Sequence, residues 1–286
     1  MTFDSYQYAT DTIIAALECG TVPWRHPLLG GGQDQLPKNL NTGKTYRGIN
    51  LFLLALAGWD AGYANPWWLT FKQARDRGGH VRKGEKSTSV IFWKEMLVED
   101  EKTGKPKKVP VIKNYRVFSV EQCDNIDYPK PGTLERDFEP LEAAEQIVAG
   151  YEGAPFIETT CASVATYTPT TDLVQMPKPE RFVDQNAYYA TLFHELGHST
   201  GHRSRLDREQ AGVSFGSAKY AKEELIAEFA AAGLCAMSGI PPSEIENSAA
   251  YIANWLNVLR SDKRLVVHAA GAGQKAMDWI VGQRQR

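Results

Sequence analysis

Two histidines four residues apart, with a glutamate directly after the first, stand at His194-Glu195-Leu196-Gly197-His198. On a helix this spacing puts both imidazoles on one face, where they can share one cation, and sets Glu195 one step round beside it. A carboxylate in that position can take a proton from bound water, as metal-assisted hydrolysis requires. In a chain of this composition the pattern arises by chance roughly 0.01 times. The chemistry expected is amide hydrolysis. The cation brings the pKa of its water to about 7 and polarises the carbonyl, while Glu195 serves as general base and then proton donor. Zinc is the expected ion, and Mn2+ or another divalent ion is an alternative.

A catalytic zinc keeps three protein ligands. A third histidine in the longer signature HExxHxxGxxH would fall where the chain has Ser204, so that signature is broken. The remaining source is the segment KEELIAEFAAA, with Glu223, Glu224 and Glu228. Its apolar residues surround the acids almost completely, which predicts a buried helix whose carboxylates need partners. Glu224 is the first choice for the ligand, ahead of Glu228 and then Glu223. Glu228 is then expected to orient a histidine from outside the coordination sphere. His202 follows the helix-breaking Gly201 and is expected to lie outside the coordination sphere, supporting the site or the surrounding structure. His26, His80 and His268 have no company in the sequence and receive no role. A short strand near 162–168 is expected to align an extended peptide by edge pairing, and Tyr220, Tyr251 and Arg203 are candidates to stabilise the oxyanion.

The elements that must position these groups follow from periodicity. Asp184 caps a helix over 185–200, and further helices are expected over 219–237, 243–259 and up to Val281, behind one small sheet with strands on either side of a turn at 169–172. Upstream, helices are expected over 4–19 and 50–59, and a short one over 68–77 capped by Thr70. A hairpin is expected from 87–97 and 109–120. The proline-rich segment 129–137 reads as a linker between a module at 1–128 and one at 138–286, both α+β.

Charge divides along the same line. The net charge is -2, yet residues 38–94 carry ten Lys/Arg against three acids, and residues 138–286 carry 13 basic against 18 acidic side chains. Five of the seven tryptophans also lie in the first half. Cations that follow phosphates and rings that stack on bases are what single-stranded nucleic acid binding uses. The candidate contacts are Lys38, Asn39, Lys44, Tyr46, Arg47, Asn50, Trp67, Trp68, Lys72, Arg82, Lys83, Lys86 and Trp93. An isolated N-terminal module is expected to bind the strand alone. No P-loop and no Asp-x-Asp occur, so nucleotide polymerisation is not expected. Apolar runs are too short to span a bilayer and the N-terminus lacks signal-peptide character, so no membrane association is expected. Four scattered cysteines suggest buried, reduced thiols and a cytoplasmic setting.

The segments NLNTGKTYRGIN, WWLTFKQARDRGGHVRKGEKSTSVIFW and VFSVEQC, with YYATLFHELGHSTGHRSRLDR and YAKEELIAEFAAAGLC, resemble the ArdC-type antirestriction proteins of conjugative plasmids. The first domain of that family also occurs on TraC-type conjugative primases. The resemblance implies single-stranded DNA binding by the first domain and a zincin-type metallopeptidase fold in the second. It also implies protection of incoming plasmid DNA, with a component of the host restriction machinery as a candidate protein substrate.

Overall fold

A computed structural model describes residues 3–25, 36–99, 106–129, 140–208, 217–240 and 249–283. The first half opens with helix α1 (Ser5–Glu18), whose Asp4 cap accepts from the amides of Tyr6 and Gln7. Helix α2 (Ile49–Asp60) is buried along most of its length. A four-stranded sheet runs in the order β1 (Lys38–Asn39), β2 (Trp67–Thr70), β5 (Pro106–Ser119), β4 (Thr88–Glu99). β1 lies parallel to β2, and the other pairs are antiparallel, with Leu69 opposite Phe118 and Ile91 opposite Asn114. Helix α3 (Phe71–Asp76) follows β2, and a small pair, β3 (His80–Val81) with β6 (Cys123–Asp124), closes the half.

The second half holds α4 (Pro140–Ala149) and a three-stranded sheet, β7 (Phe156–Thr160), β9 (Leu173–Pro177) and β8 (Thr166–Thr168) in that spatial order. Helices α5 (Gln185–Ser199), α6 (Ala218–Ser238), α7 (Ala249–Ser261) and α8 (Leu265–Ile280) complete it. Thus both halves combine helices with a small sheet, the α+β arrangement expected.

Helix α6 is sheathed on all sides, as its composition predicts. One face joins α4, α5 and β9 in a core of Leu192, Phe193, Leu196, Leu234 and Met176. The other enters a core shared by both halves: Trp24 packs on Phe229 at 4.9 Å and on Trp255 at 5.2 Å, and Phe52 packs on Phe229 at 4.7 Å. Close helix contact there needs a bare backbone. A Cβ on Gly273 of α8 would lie 2.6 Å from Phe229 Cβ and 3.0 Å from the Ile226 carbonyl.

Several expectations require revision. Residues 67–70 form β2 rather than the start of a helix, because Trp68 and Leu69 are buried against β5. Thr70 still caps α3, in a capping box with Gln73. Helix α4 and strand β7 were not read from the sequence, and the linker beyond residue 129 and the start of the 243–259 helix lie outside the described residues. The four cysteines are free, but only Cys235 is buried, while Cys19 and Cys161 are exposed at the ends of elements.

Asn50 also belongs to the architecture. Its amide accepts from Ile91 N–H at 2.7 Å and donates to Ile91 C=O at 2.6 Å, closing the outer edge of β4. No helix among the described residues is long and apolar enough to cross a membrane.

Candidate metal centre

Helix α5 starts where Asp184 accepts from Ala187 N at 2.8 Å, and it buries Leu192, Phe193 and Leu196. That fixes the opposite stripe, carrying His194 and His198, toward α6. The two helices meet closely at Gly197, where a Cβ would stand 3.1 Å from Ala227 Cα. The approach brings Glu224 between the imidazoles. His194 Nε2 and His198 Nε2 are 3.1 Å apart, and Glu224 oxygens lie 3.6 Å and 3.4 Å from them. Ligands about 2.0–2.1 Å from a tetrahedral ion stand about 3.3 Å apart, so two imidazole nitrogens and one carboxylate are set at the separation such a cation requires. Among the described residues this is the only His/Cys/Asp/Glu group so clustered.

The surroundings hold the donors. Glu223 lies 3.4 Å from His198 Nδ1, and Arg208 grips it with two bonds, Nε to Oε2 at 3.0 Å and Nη2 to Oε1 at 2.7 Å. Arg208 also donates to Thr200 Oγ1 and to the Gly197 carbonyl. Burial works against ionisation of Glu223, but His198 and Arg208 outweigh it and bring its pKa down to about 2. Glu224 is likewise held well below the usual carboxylate range, burial being outweighed by the two histidines. Burial would lower His198, yet Glu223 and Glu224 raise it to about 10, and His194 is raised chiefly by Glu224 against the same burial.

Glu228 stands 4.0 Å from His194 Nδ1, an ion-pair distance beyond hydrogen-bond reach. Glu223, last in order as a ligand, is the carboxylate nearest a histidine Nδ1. His202 stands outside the donor set, in keeping with an outer or structural place: its Nδ1 meets Ser204 Oγ at 2.7 Å and lies 3.9 Å from Asp172, in the loop that follows α5. Arg205 anchors that loop to the Ser199 and Gly153 carbonyls and to Asp172. Sequence reasoning missed Arg205 and Arg208, although the basic run HRSRLDR directly after the motif was the available signal. Glu195 is 7% exposed, and its side chain has no hydrogen bond or ion pair among the described residues, while its charge acts on both histidines.

In the first half, Lys44, Lys72, Lys83 and Lys86 are exposed, as is Trp93. Lys38 lies over the half-buried Trp67 ring, whose Nε1 donates to the Pro129 carbonyl. Asn39 shapes its own turn, accepting from Asn41 and Thr42 N–H and donating to Tyr46 Oη. Arg82 bonds Glu85 and the Glu121 carbonyl, and Arg47 pairs with Asp278 of α8. Three candidate DNA contacts are corrected. Tyr46, Asn50 and Trp68 are buried in the sheet core or its edge, where no base can reach them.

Two family profiles match the chain. One, described as the N-terminal domain of anti-restriction factor ArdC, covers residues 3–118, and one, described as a zincin-like metallopeptidase, covers residues 142–272. The metal-free crystal structure of antirestriction protein ArdC from plasmid R388 is 41% identical, with a TM-score of 0.80 over 99% of this chain and all of that one. Its Mn(II)-bound structure is 40% identical, with a TM-score of 0.78 over 97% of each chain. The protein y4eC of Sinorhizobium fredii (strain NBRC 101917 / NGR234) is 37% identical over 98% of this chain and 92% of its own length. DNA primase TraC of Escherichia coli is also 37% identical over 98% of this chain, which spans only 27% of TraC. With both halves matched in order, and R388 ArdC alike from end to end, this chain belongs to the ArdC antirestriction family.

Proposed function

We propose that this protein binds single-stranded DNA through its first half and hydrolyses a peptide bond at the His194, His198 and Glu224 site, thereby protecting incoming conjugative DNA from host restriction. The observation that carries the peptidase reading is Glu195. Its carboxylate stands beside both histidine donors and is committed to no hydrogen bond or ion pair among the described residues, and a purely structural metal site has no use for such a base. A divalent cation, zinc or the Mn(II) of the R388 relative, supplies Lewis-acid polarisation of a carbonyl and a more acidic water. Glu195 accepts that proton and delivers it to the leaving nitrogen. The edge strand β8, which packs against α5, offers backbone groups to an extended peptide.

For the strand, the exposed Lys44, Lys72, Lys83 and Lys86 supply phosphate contacts, and Trp93 with the Lys38–Trp67 pair supplies flat rings. The same sequence block within a DNA primase supports a nucleic acid partner. The protein substrate is proposed to lie in the host restriction machinery, in the cytoplasm.

The test is plasmid transfer into a restricting host with wild type and Glu195→Ala, after confirming that the variant keeps its metal and fold. Loss of protection is expected. Full protection by the metallated variant would overturn the peptidase role and leave a strand-shielding protein with a structural or regulatory metal.

A further inference from the structure

Trp93, Tyr6 and His268 come from β4, α1 and α8, and meet at the surface. The Tyr6 ring centroid lies 5.8 Å from those of both Trp93 and His268, and Trp93 lies 6.2 Å from His268. Tyr6 Oη is 3.4 Å from His268 Nε2, which fixes the two rings relative to each other. Trp93 remains 47% exposed and His268 is exposed. An indole left half in water by a fold that buries Trp24, Trp68 and Trp255 completely is a stacking surface without an occupant.

The charge beside it points to the kind of occupant. The Arg264 guanidinium caps the Tyr6 ring at 5.6 Å and has no ion-pair partner among the described residues. Of the acids nearby, Asp4 is already neutralised by Lys263 at 2.6 Å and by the amides of Tyr6 and Gln7, and Asp262 is turned to the Arg264 backbone N–H, from which it accepts at 2.8 Å. Flat rings beside an uncommitted guanidinium match a base and its phosphate, the pairing that sequence-tolerant strand binding uses.

We infer that Trp93, Tyr6, His268 and Arg264 form a stacking subsite for single-stranded DNA, so that the strand runs from the first half onto α8 of the metallopeptidase half. This rests on the strand-binding reading above and extends it, because half of the subsite lies outside the N-terminal module.

The test titrates full-length protein with oligo(dT), following anisotropy and tryptophan quenching at several salt concentrations. Trp93→Ala is expected to weaken binding between about fivefold and a hundredfold, the range for one lost stacked base. Trp93→Phe is expected to restore most of the affinity while losing quenching amplitude, which a merely structural role would not produce. Arg264→Ala is expected to flatten the slope of log K against log salt by about 0.7, one phosphate contact. If wild type binds but Trp93→Ala and the Arg264→Ala/His268→Ala double variant bind equally well, the subsite is overturned and the patch falls to a protein partner. If wild type shows no binding, the strand-binding reading fails with it.

Discussion

Glu223 gives a carboxylate two tasks through one atom: its Oε1 faces His198 Nδ1 and also accepts from Arg208. An imidazole whose second nitrogen is held in this way presents the first in a fixed direction and tautomer. Replacing His194 or His198 with Ala is expected to abolish stoichiometric divalent metal, measured by elemental analysis after dialysis. Full metal content in both variants would refute the centre. Arg208→Ala leaves every donor in place, yet frees Glu223 to swing. It is expected to weaken metal binding about 10–100-fold in competition with a chelator, and unchanged affinity would show that Arg208 serves only the loop. The pairing of the two histidines was legible because the helical period alone puts i and i+4 on one face. The choice among the three glutamates was less so. Glu223 and Glu224 differ by one step of rotation on α6, and which of them meets the Nε2 atoms and which meets His198 Nδ1 is decided by the approach of α5 at Gly197, a tertiary fact.

At the scale of elements, α5 continues into a loop that Arg205 pins to the small sheet. Arg205 is 3% exposed and donates to two carbonyls and the Asp172 carboxylate. Arg205→Ala would leave those acceptors unpaired and is expected to cost about 3 kcal/mol, read from denaturant unfolding. Burial opposes ionisation of Asp172, but Arg205 and the Tyr167 hydroxyl outweigh it and lower its pKa. A carboxylate whose pKa falls on folding stabilises the protein above its unfolded value of about 3.9, and that contribution is lost as pH falls through the folded value. Asp172→Asn keeps the left-handed backbone (φ +51°) accessible. It should therefore unfold at lower temperature than wild type near neutrality, with the gap closing below about pH 4. A gap independent of pH would mean that shape, not charge, holds the loop. Helix positions were legible where an apolar stripe is well formed, as in α1, and most closely where a cap agrees with it, as at Asp184. β2 was not, because WWLT is short and its strand character comes from burial against β5, which lies 47 residues or more away in register.

For the molecule as a whole, the decisive feature is the core that α1 and α2 share with α6, α7 and α8. Composition and charge suggested two modules that could part at a linker, but no local signal shows that Phe52 will pack on Phe229. A common core predicts one cooperative calorimetric transition for the full chain, with calorimetric and van't Hoff enthalpies equal. It also revises the expectation for an isolated 1–130 fragment. That fragment would expose the faces of Trp24 and Phe52 and is expected to bind ANS and lose cooperativity. Two resolved transitions would show the halves to be independent.

The clamp of Asn50 on Ile91 has one more consequence. A free strand edge invites any extended chain to continue the sheet, including a neighbouring copy of the same hairpin. Asn50 fills that vacancy with its own carboxamide, donating and accepting as a strand residue would. The long β4–β5 hairpin is thereby insulated at this point from self-templated assembly and from strand exchange between copies. Partners are left its faces rather than its border, and substitution of this single buried amide should show first as a loss of solubility during refolding at high concentration.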